Sequence, residues 1–376
     1  MRRGVDRVLA FLIAVWAVGM LAGGFVDRAA NRLVAGVPVS IWDAVDPATL
    51  TMVAVLIAGL TVTAFLRKCR ATDWALIALA TLLLLTTLAG AGRAAALGPA
   101  DGPAARTTLG AAFWIGASCA ALMVVRAWQR AAASRRAQMS FVAFLAIAIV
   151  AMARSGLWEK LSLAAEWRGH RDAFGVELLR HCVLAASAAG LAVLAGVPLG
   201  LWAARRPQVR GGIFSTLNLI QTIPSLALFG LLIAPLAALG LPAIGLVPAL
   251  IALVLYLLLP AARSTAAAIA SVDPTVVESA RGMGFTAWQI LRHVELPLGA
   301  PILLAGLRVV AVQALGLSVV AALIGAGGLG SFVFQGLGQY AEDLILLGAL
   351  PVIGLAVGVD FVLRTLAAPI GARRRA

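Results

Sequence analysis

"LIGAGGLGSF" occupies residues 323–332, and its reading decides the fold. Gly325, Gly327 and Gly330 satisfy G-x-G-x-x-G, the preceding SVVAALI resembles a buried strand, and Glu342 and Asp343 follow the glycines. Taken alone, this is the fingerprint of a dinucleotide-binding strand, turn and helix. The surroundings exclude it. The chain is 62% hydrophobic and 12% charged, with a mean hydropathy of +1.00, whereas a soluble chain is about 45–50% apolar and about 25% charged. The glycines therefore sit at the end of a long apolar run and not behind a short strand of a soluble unit. There they let a helix end bend and pack closely in a membrane.

A membrane-spanning helix needs about 20 mostly apolar residues. Ten runs approach that length, at 8–26, 49–66, 74–92, 108–125, 137–153, 182–204, 213–237, 243–262, 298–322 and 344–366. The first follows MRRGVDR but is long for a signal peptide and lacks a clear A-x-A site, so it is expected to be a retained anchor. With both termini cytoplasmic, 20 of the 30 Lys and Arg fall on the inner side. They are Arg2, Arg3, Arg7, Arg67, Lys68, Arg70, Arg126, Arg130, Arg135, Arg136, Arg205, Arg206, Arg210, Arg263, Arg281, Arg292, Arg364, Arg373, Arg374 and Arg375. That distribution satisfies the positive-inside rule, so the formal charge of +14 is a topology signal and not a nucleic-acid footprint. Deleting the weak fifth run would put ARRPQVR outside. Cys69, Cys119 and Cys182 and the three histidines are scattered without metal-ligand spacing, so neither a disulfide framework nor a zinc site is indicated.

The longest hydrophilic loop of the C-terminal half is SVDPTVVESARGMGFTAWQILRHVELP, residues 271–297. Asp273 before Pro274 reads as an N-cap with proline at the first helical position, and Thr286 with Gln289 as a capping box. Two short helices hinged near Gly284 are expected. Ordinary connections are about two to eight residues, so a longer capped one usually has a task.

Glu278, Ser279 and Ala280, then Gly284, then Val294, Leu296 and Pro297 resemble the EAA loop of binding-protein-dependent ABC importer permeases. That pattern is E-A-A, three residues, G, nine residues, I-x-L-P, and only Ser279 and Val294 depart from it. The resemblance covers about residues 177–368. IQTIPSLALFG (220–230) and the loop together resemble permeases of osmoprotectant importers, which carry glycine betaine, choline and related quaternary ammonium compounds. It implies an all-α polytopic membrane protein of about ten transmembrane helices, with a C-terminal five-helix type I importer permease core. An accessory five-span region at 1–153, a periplasmic loop at 154–176 and a basic cytoplasmic tail at 369–376 complete the expected division.

By the same resemblance, Glu278, Ser279, Ala280, Arg281, Gly282, Gly284, Leu296 and Pro297 would form the coupling loop that docks on a cytoplasmic ABC ATPase dimer. A second permease subunit, identical or paralogous, and an extracytoplasmic substrate-binding protein are the other implied partners, in the bacterial inner membrane. ATP and Mg would be bound by the partner ATPase, with no cofactor on this chain. Its two lysines, Lys68 and Lys160, lie outside any G-x-x-x-x-G-K-[ST].

Ser215, Asn218, Gln221, Thr222 and Ser225 recur at helical spacing in the seventh run and, with Gln313, are candidates for the substrate path. A stripe of this kind serves either pore lining or interhelical hydrogen bonding. Pro224 should kink the helix. Arg308 and Asp360 lie inside runs, Asp360 having Arg364 one turn on and Arg308 only Asp360 as a candidate across helices. Trp158, Trp167 and Phe174 are read mainly as interfacial anchors. A permease for methionine, nitrate or sulfonates is the nearest alternative. A secondary transporter is disfavoured by the lack of related halves, and an embedded enzyme by the lack of clustered catalytic groups.

Overall fold

The computed structural model describes residues 6–32, 34–66, 69–98, 105–131 and 134–372. Arg2, Arg3, Arg67, Lys68, Arg373, Arg374 and Arg375, used above for topology, lie outside the described residues. In chain order the elements are α1 (Arg7–Ala22), β1 (Val26–Ala29), β2 (Val37–Val39), α2 (Ile41–Ala44), α3 (Pro47–Phe65), α4 (Arg70–Ala96), β3 (Arg106–Leu109), α5 (Ala111–Ala131) and α6 (Arg135–Arg154). They continue as α7 (Ser162–Arg205), α8 (Pro207–Thr222), α9 (Ser225–Ala238), α10 (Leu246–Ala270), α11 (Pro274–Gly282), α12 (Ala287–Ile290), α13 (Leu296–Val320), α14 (Gly330–Gly338) and α15 (Glu342–Ala372). Among the described residues eight helices are long and apolar enough to span a membrane, and α8 with α9 makes a ninth if the bent pair is one span. The remaining run, the first, is α1, an apolar helix of 16 residues that falls just short of a full crossing. This is a multi-pass helical membrane protein. The chain divides into two compact units at Gly169 and His170.

The N-terminal unit packs α1, α3, α4 and α5 around Leu9, Trp16, Leu60, Leu76, Leu83, Phe113 and Met123. Asp6 caps α1 by accepting from the Leu9 amide, and its buried carboxylate also takes Arg126 and Arg130. Arg130 reaches Asp73 at 2.8 Å as well, so one ionic cluster joins the starts of α1 and α4 to the end of α5. Among the described residues α6 contributes no buried side chain. An unexpected feature is a three-stranded antiparallel sheet in the order β2-β1-β3. Its strands are three or four residues long, and β1 pairs with β3 across about eighty intervening residues of sequence, Val26 facing Leu109 and Ala29 facing Arg106. Such strands leave too few alternations to be legible from periodicity.

In the C-terminal unit α10 is the central helix, packed against α8, α9 and α13, while α13 also packs on α15. Leu184, Ala188, Ala192, Leu253, Leu257, Val310 and Ala314 form its core. Small residues set the spacing, because a Cβ at Gly196 or Gly200 would collide with Ala261, Ala262 or Thr265 of α10. Gly354 and Gly358, of the same small-xxx-small pattern, face open space. Residues 162–176, expected as loop, are helical and continuous with the span that follows, giving α7 44 residues. Its first third carries charge, but Leu163, Ala164, Ala165, Glu166, Arg168, Arg171 and Ala173 all favour helix even outside an apolar environment.

Candidate functional site

The loop at 271–297 is built as the capping residues dictate. The Asp273 carboxylate accepts from the Thr275 amide at 2.9 Å and its hydroxyl at 2.7 Å, starting α11 with Pro274 at its first position. Those two bonds, the hydroxyl's first, hold the Asp273 carboxyl below the usual carboxylate range. Thr286 and Gln289 make the reciprocal capping box. Between them Gly284 has φ +84°, and a Cβ there would meet nothing within 4 Å, so conformation alone calls for glycine.

The second short helix is a correction. Instead of ending, α12 runs through a π-helical stretch, Leu291–Glu295, directly into α13. Pro297 lacks an N–H and crowds the preceding turn, and a π-helical widening absorbs such a residue without a break. Thr286 thus caps the ninth span itself.

Ala280 and Ile290 are buried and root the loop, as does Glu295, whose carboxylate takes Arg205 from the end of α7. Glu278, Ser279, Arg281, Gly282 and Gly284 are exposed, while Leu296 and Pro297 open α13. Glu278 is the fifth residue of α11, beyond the first turn over which the helix dipole acts, and has no ion-pair partner among the described residues. Beside it stand apolar side chains that the motif does not name: Met283 is 69% exposed, Trp288 66% and Val276 42%. The loop also carries Val272, Val277, Phe285, Ile290, Leu291, Val294 and Leu296, so the sequence alone does not single these three out; their exposure, shared by Phe285 at 39%, does. The surface is a rigid turn presenting apolar knobs ringed by charge, which suits a protein partner.

The candidate path residues separate. At Pro224 the helix axis turns by 103° between α8 and α9. Ser225 therefore leaves the face shared by Ser215, Asn218, Gln221 and Thr222, because the stripe needed one continuous helix. Gln221 donates to the Tyr256 carbonyl at 2.7 Å, and the Tyr256 hydroxyl donates to the Ile223 carbonyl, one residue before the break. The phenol thus satisfies a carbonyl at the point where Pro224 interrupts the ladder. Tyr256 is one of two tyrosines in the chain, and its position in VLYLLL is the signal that it needs a partner. Asn218 accepts from Arg263 at 2.9 Å, Thr222 back-bonds to Leu219, and Ser215 is exposed.

Gln313 lies elsewhere, in an open cleft of about 320 Å³ with Arg308, Val309, Val312 and Asp360. Asp360 pairs with Arg308 at 3.0 Å and with Arg364 at 2.8 Å. Arg308 is about 18 Å along α13 at 1.5 Å per residue. A lone charge at such depth costs about 2.5–3.5 kcal/mol on insertion scales, so the pairing across α13 and α15 is required.

The glycine-rich turn is clamped to α7. Gly325, Gly327 and Gly328 have φ of 79°, 75° and 89°, and the Gly328 amide donates to the Glu177 carboxylate. Phe174 stacks on Phe332 with centroids 6.1 Å apart, and His170 meets that ring edge-on. Trp158 donates to the Leu88 carbonyl at 3.0 Å. Among the described residues no group of three His, Cys, Asp or Glu side chains is placed to hold a metal ion.

Residues 196–372 match the family model described as binding-protein-dependent transport system inner membrane component. Residues 5–164 match that of the N-terminal domain of ABC transporter permease YehY. The chain is 40% identical over 188 residues to the carnitine transport permease protein OpuCB of Listeria monocytogenes, covering 50% of this chain and 84% of that one. It is 41% identical over 187 residues to the osmoprotectant import permease protein OsmW of Salmonella typhimurium, covering 50% and 86%. To the choline transport system permease protein OpuBB of Bacillus subtilis it is 40% identical over 193 residues, covering 50% and 86%. Among solved structures, an inward-facing MetNI methionine ABC transporter aligns at 21% identity and a TM-score of 0.49, covering 52% of this chain and 95% of that one.

Proposed function

Since the chain belongs to the binding-protein-dependent transport system inner membrane component family, we propose that it is the permease subunit of an ATP-driven importer for quaternary ammonium osmoprotectants of the glycine betaine, carnitine and choline type. The substrate class rests on relatives that match the C-terminal half at about 40% identity. The coupling role rests on the loop at 271–297, and the observation that carries it is the exposure of Met283 and Trp288 on a turn fixed by two caps and the Arg205–Glu295 pair.

In this reading Glu278, Ser279, Ala280, Arg281, Gly282, Gly284, Leu296 and Pro297 form the seat for one subunit of an ATPase dimer, which binds ATP and Mg. Because α12 is continuous with α13, displacement of the seat is transmitted along the ninth span without a flexible joint. The bend at Pro224 and the Tyr256 strap give the neighbouring span a place to change angle, so alternating access moves α8 and α9 against α10. A second permease subunit and an extracytoplasmic binding protein complete the assembly, and the basic loops put both termini in the cytoplasm. No role for nucleic acid follows.

The purified complex tests this. ATP hydrolysis stimulated by binding protein loaded with betaine, carnitine or choline supports the assignment. Stimulation only by methionine, nitrate or a sulfonate moves it to the alternative substrates, and uptake without the ATPase overturns the ATP-driven reading.

A further inference from the structure

The cleft on α13 and α15 holds two guanidinium groups and one carboxylate. Arg308 and Asp360 are each 31% exposed although both lie within spans. Charged side chains at membrane depth face a bundle interior or a water-filled cavity, not lipid, so this exposed face is a wet or partnered one. Asp360 is shared by two cations, leaving the site one positive charge in excess. If Arg308 lets go of Asp360, Arg364 still pairs with it.

Gln313 adds a neutral hydrogen-bonding group one turn from Val309, and Val309 and Val312 supply an apolar wall. A volume of about 320 Å³ falls at the lower end of the range of about 300–1,000 Å³ found for small-molecule sites. Among the described residues no aromatic ring lines the cleft, so a cation here is met by the Asp360 carboxylate and not by a π face.

We propose that Arg308 and Asp360 form an exchangeable ion pair that receives the two ends of a zwitterionic solute, the carboxylate on Arg308 and Gln313 and the quaternary ammonium beside Asp360. This rests on the osmoprotectant reading above and sharpens it: the cleft favours trimethylammonium carboxylates, such as betaine and carnitine, over choline, which has no carboxylate. Arg308 is thus a specificity residue, and the excess positive charge is what a solute carboxylate neutralises.

The test is the ratio of betaine to choline uptake by the complete transporter in proteoliposomes. The same binding protein serves every variant, so a change of ratio belongs to the permease. Arg308→Gln should lower betaine uptake by at least about tenfold, the worth of a hydrogen bond to a charged group, and choline uptake far less. The double variant Arg308→Gln with Asp360→Asn removes both intramembrane charges together and covers the case in which the single change impairs insertion. It should show the same shift of ratio. An unchanged ratio in the variants, or a wild type that carries choline but not betaine, overturns the zwitterion site while leaving the importer assignment. A wild type that carries neither overturns that assignment and this site with it.

Discussion

In the N-terminal unit Arg130 is 6% exposed and held between Asp6 and Asp73, whereas in the C-terminal unit Glu278 and Arg281 stand exposed on α11 beside Met283 and Trp288. The first arrangement satisfies its charges internally and ties three helix ends together. The second keeps its polar backbone in order through local caps and leaves its side chains exposed. The difference separates what holds this chain together from the surface proposed above as the ATPase seat. It predicts that ionic substitutions in the first region change stability and those in the second change coupling.

The largest effect is expected at Arg130. Arg130→Ala takes from Asp73 and Asp6 a cation they share, and breaking a buried pair costs about 3–5 kcal/mol. Thermal unfolding should come at lower temperature, while the protein that remains folded still binds ATPase. Equal loss of ATPase binding would erase the division between the regions.

Next is Tyr256→Phe, which leaves the Ile223 carbonyl beside the Pro224 break without its donor, at about 1–3 kcal/mol. Lower stability with Gln221 still bridging to α10 is the expected result, checked by thermal unfolding and by transport rate. Unaltered stability and transport would remove the strap from the account of the bend.

Smaller in energy but sharper in consequence is Gly284→Val, since a left-handed φ costs a β-branched residue about 1–2 kcal/mol. Membrane levels should be normal and ATPase association weakened. Gly284→Asn, which tolerates that conformation, should recover most of it. Failure of asparagine to rescue would show that bulk, not backbone, decides the position.

The smallest effect concerns pH. The Thr275 bonds depress the folded-state pKa of Asp273, so the order they lend α11 is fully present above the unfolded carboxylate pKa of about 3.9 and is lost as pH falls through the lower folded value. Hydrogen exchange at the start of α11 should therefore be unaffected by this group from pH 5 to 8 and rise only in stronger acid. Thr275→Ala should move that onset upward.

Much of this was legible because it is local. Nine of the ten apolar runs each correspond to one helix and the run at 213–237 to the bent pair α8 and α9, and Asp273, Thr286, Gln289 and Pro224 act where a cap or a proline acts in any helix. What escaped depends on distant residues. The sheet joins β1 to β3 through strands too short for periodicity, and Glu295 finds Arg205 ninety positions away. Ser225 seemed to continue the polar stripe because spacing assumes a straight axis, which the 103° turn removes. The continuity of α12 with α13 was hidden because Pro297 suggests an ending until a π-helical turn absorbs it.

The most direct test is co-purification of the ATPase with a permease carrying Met283→Glu and Trp288→Glu together. The two exposed apolar side chains are the centre of the proposed seat, and charging them leaves the buried roots Ala280, Ile290 and Glu295 untouched. The expected result is a permease present in the membrane at the wild-type level that no longer retains ATPase and supports no uptake. Wild-type ATPase retention together with wild-type uptake would contradict the docking of the loop at 271–297.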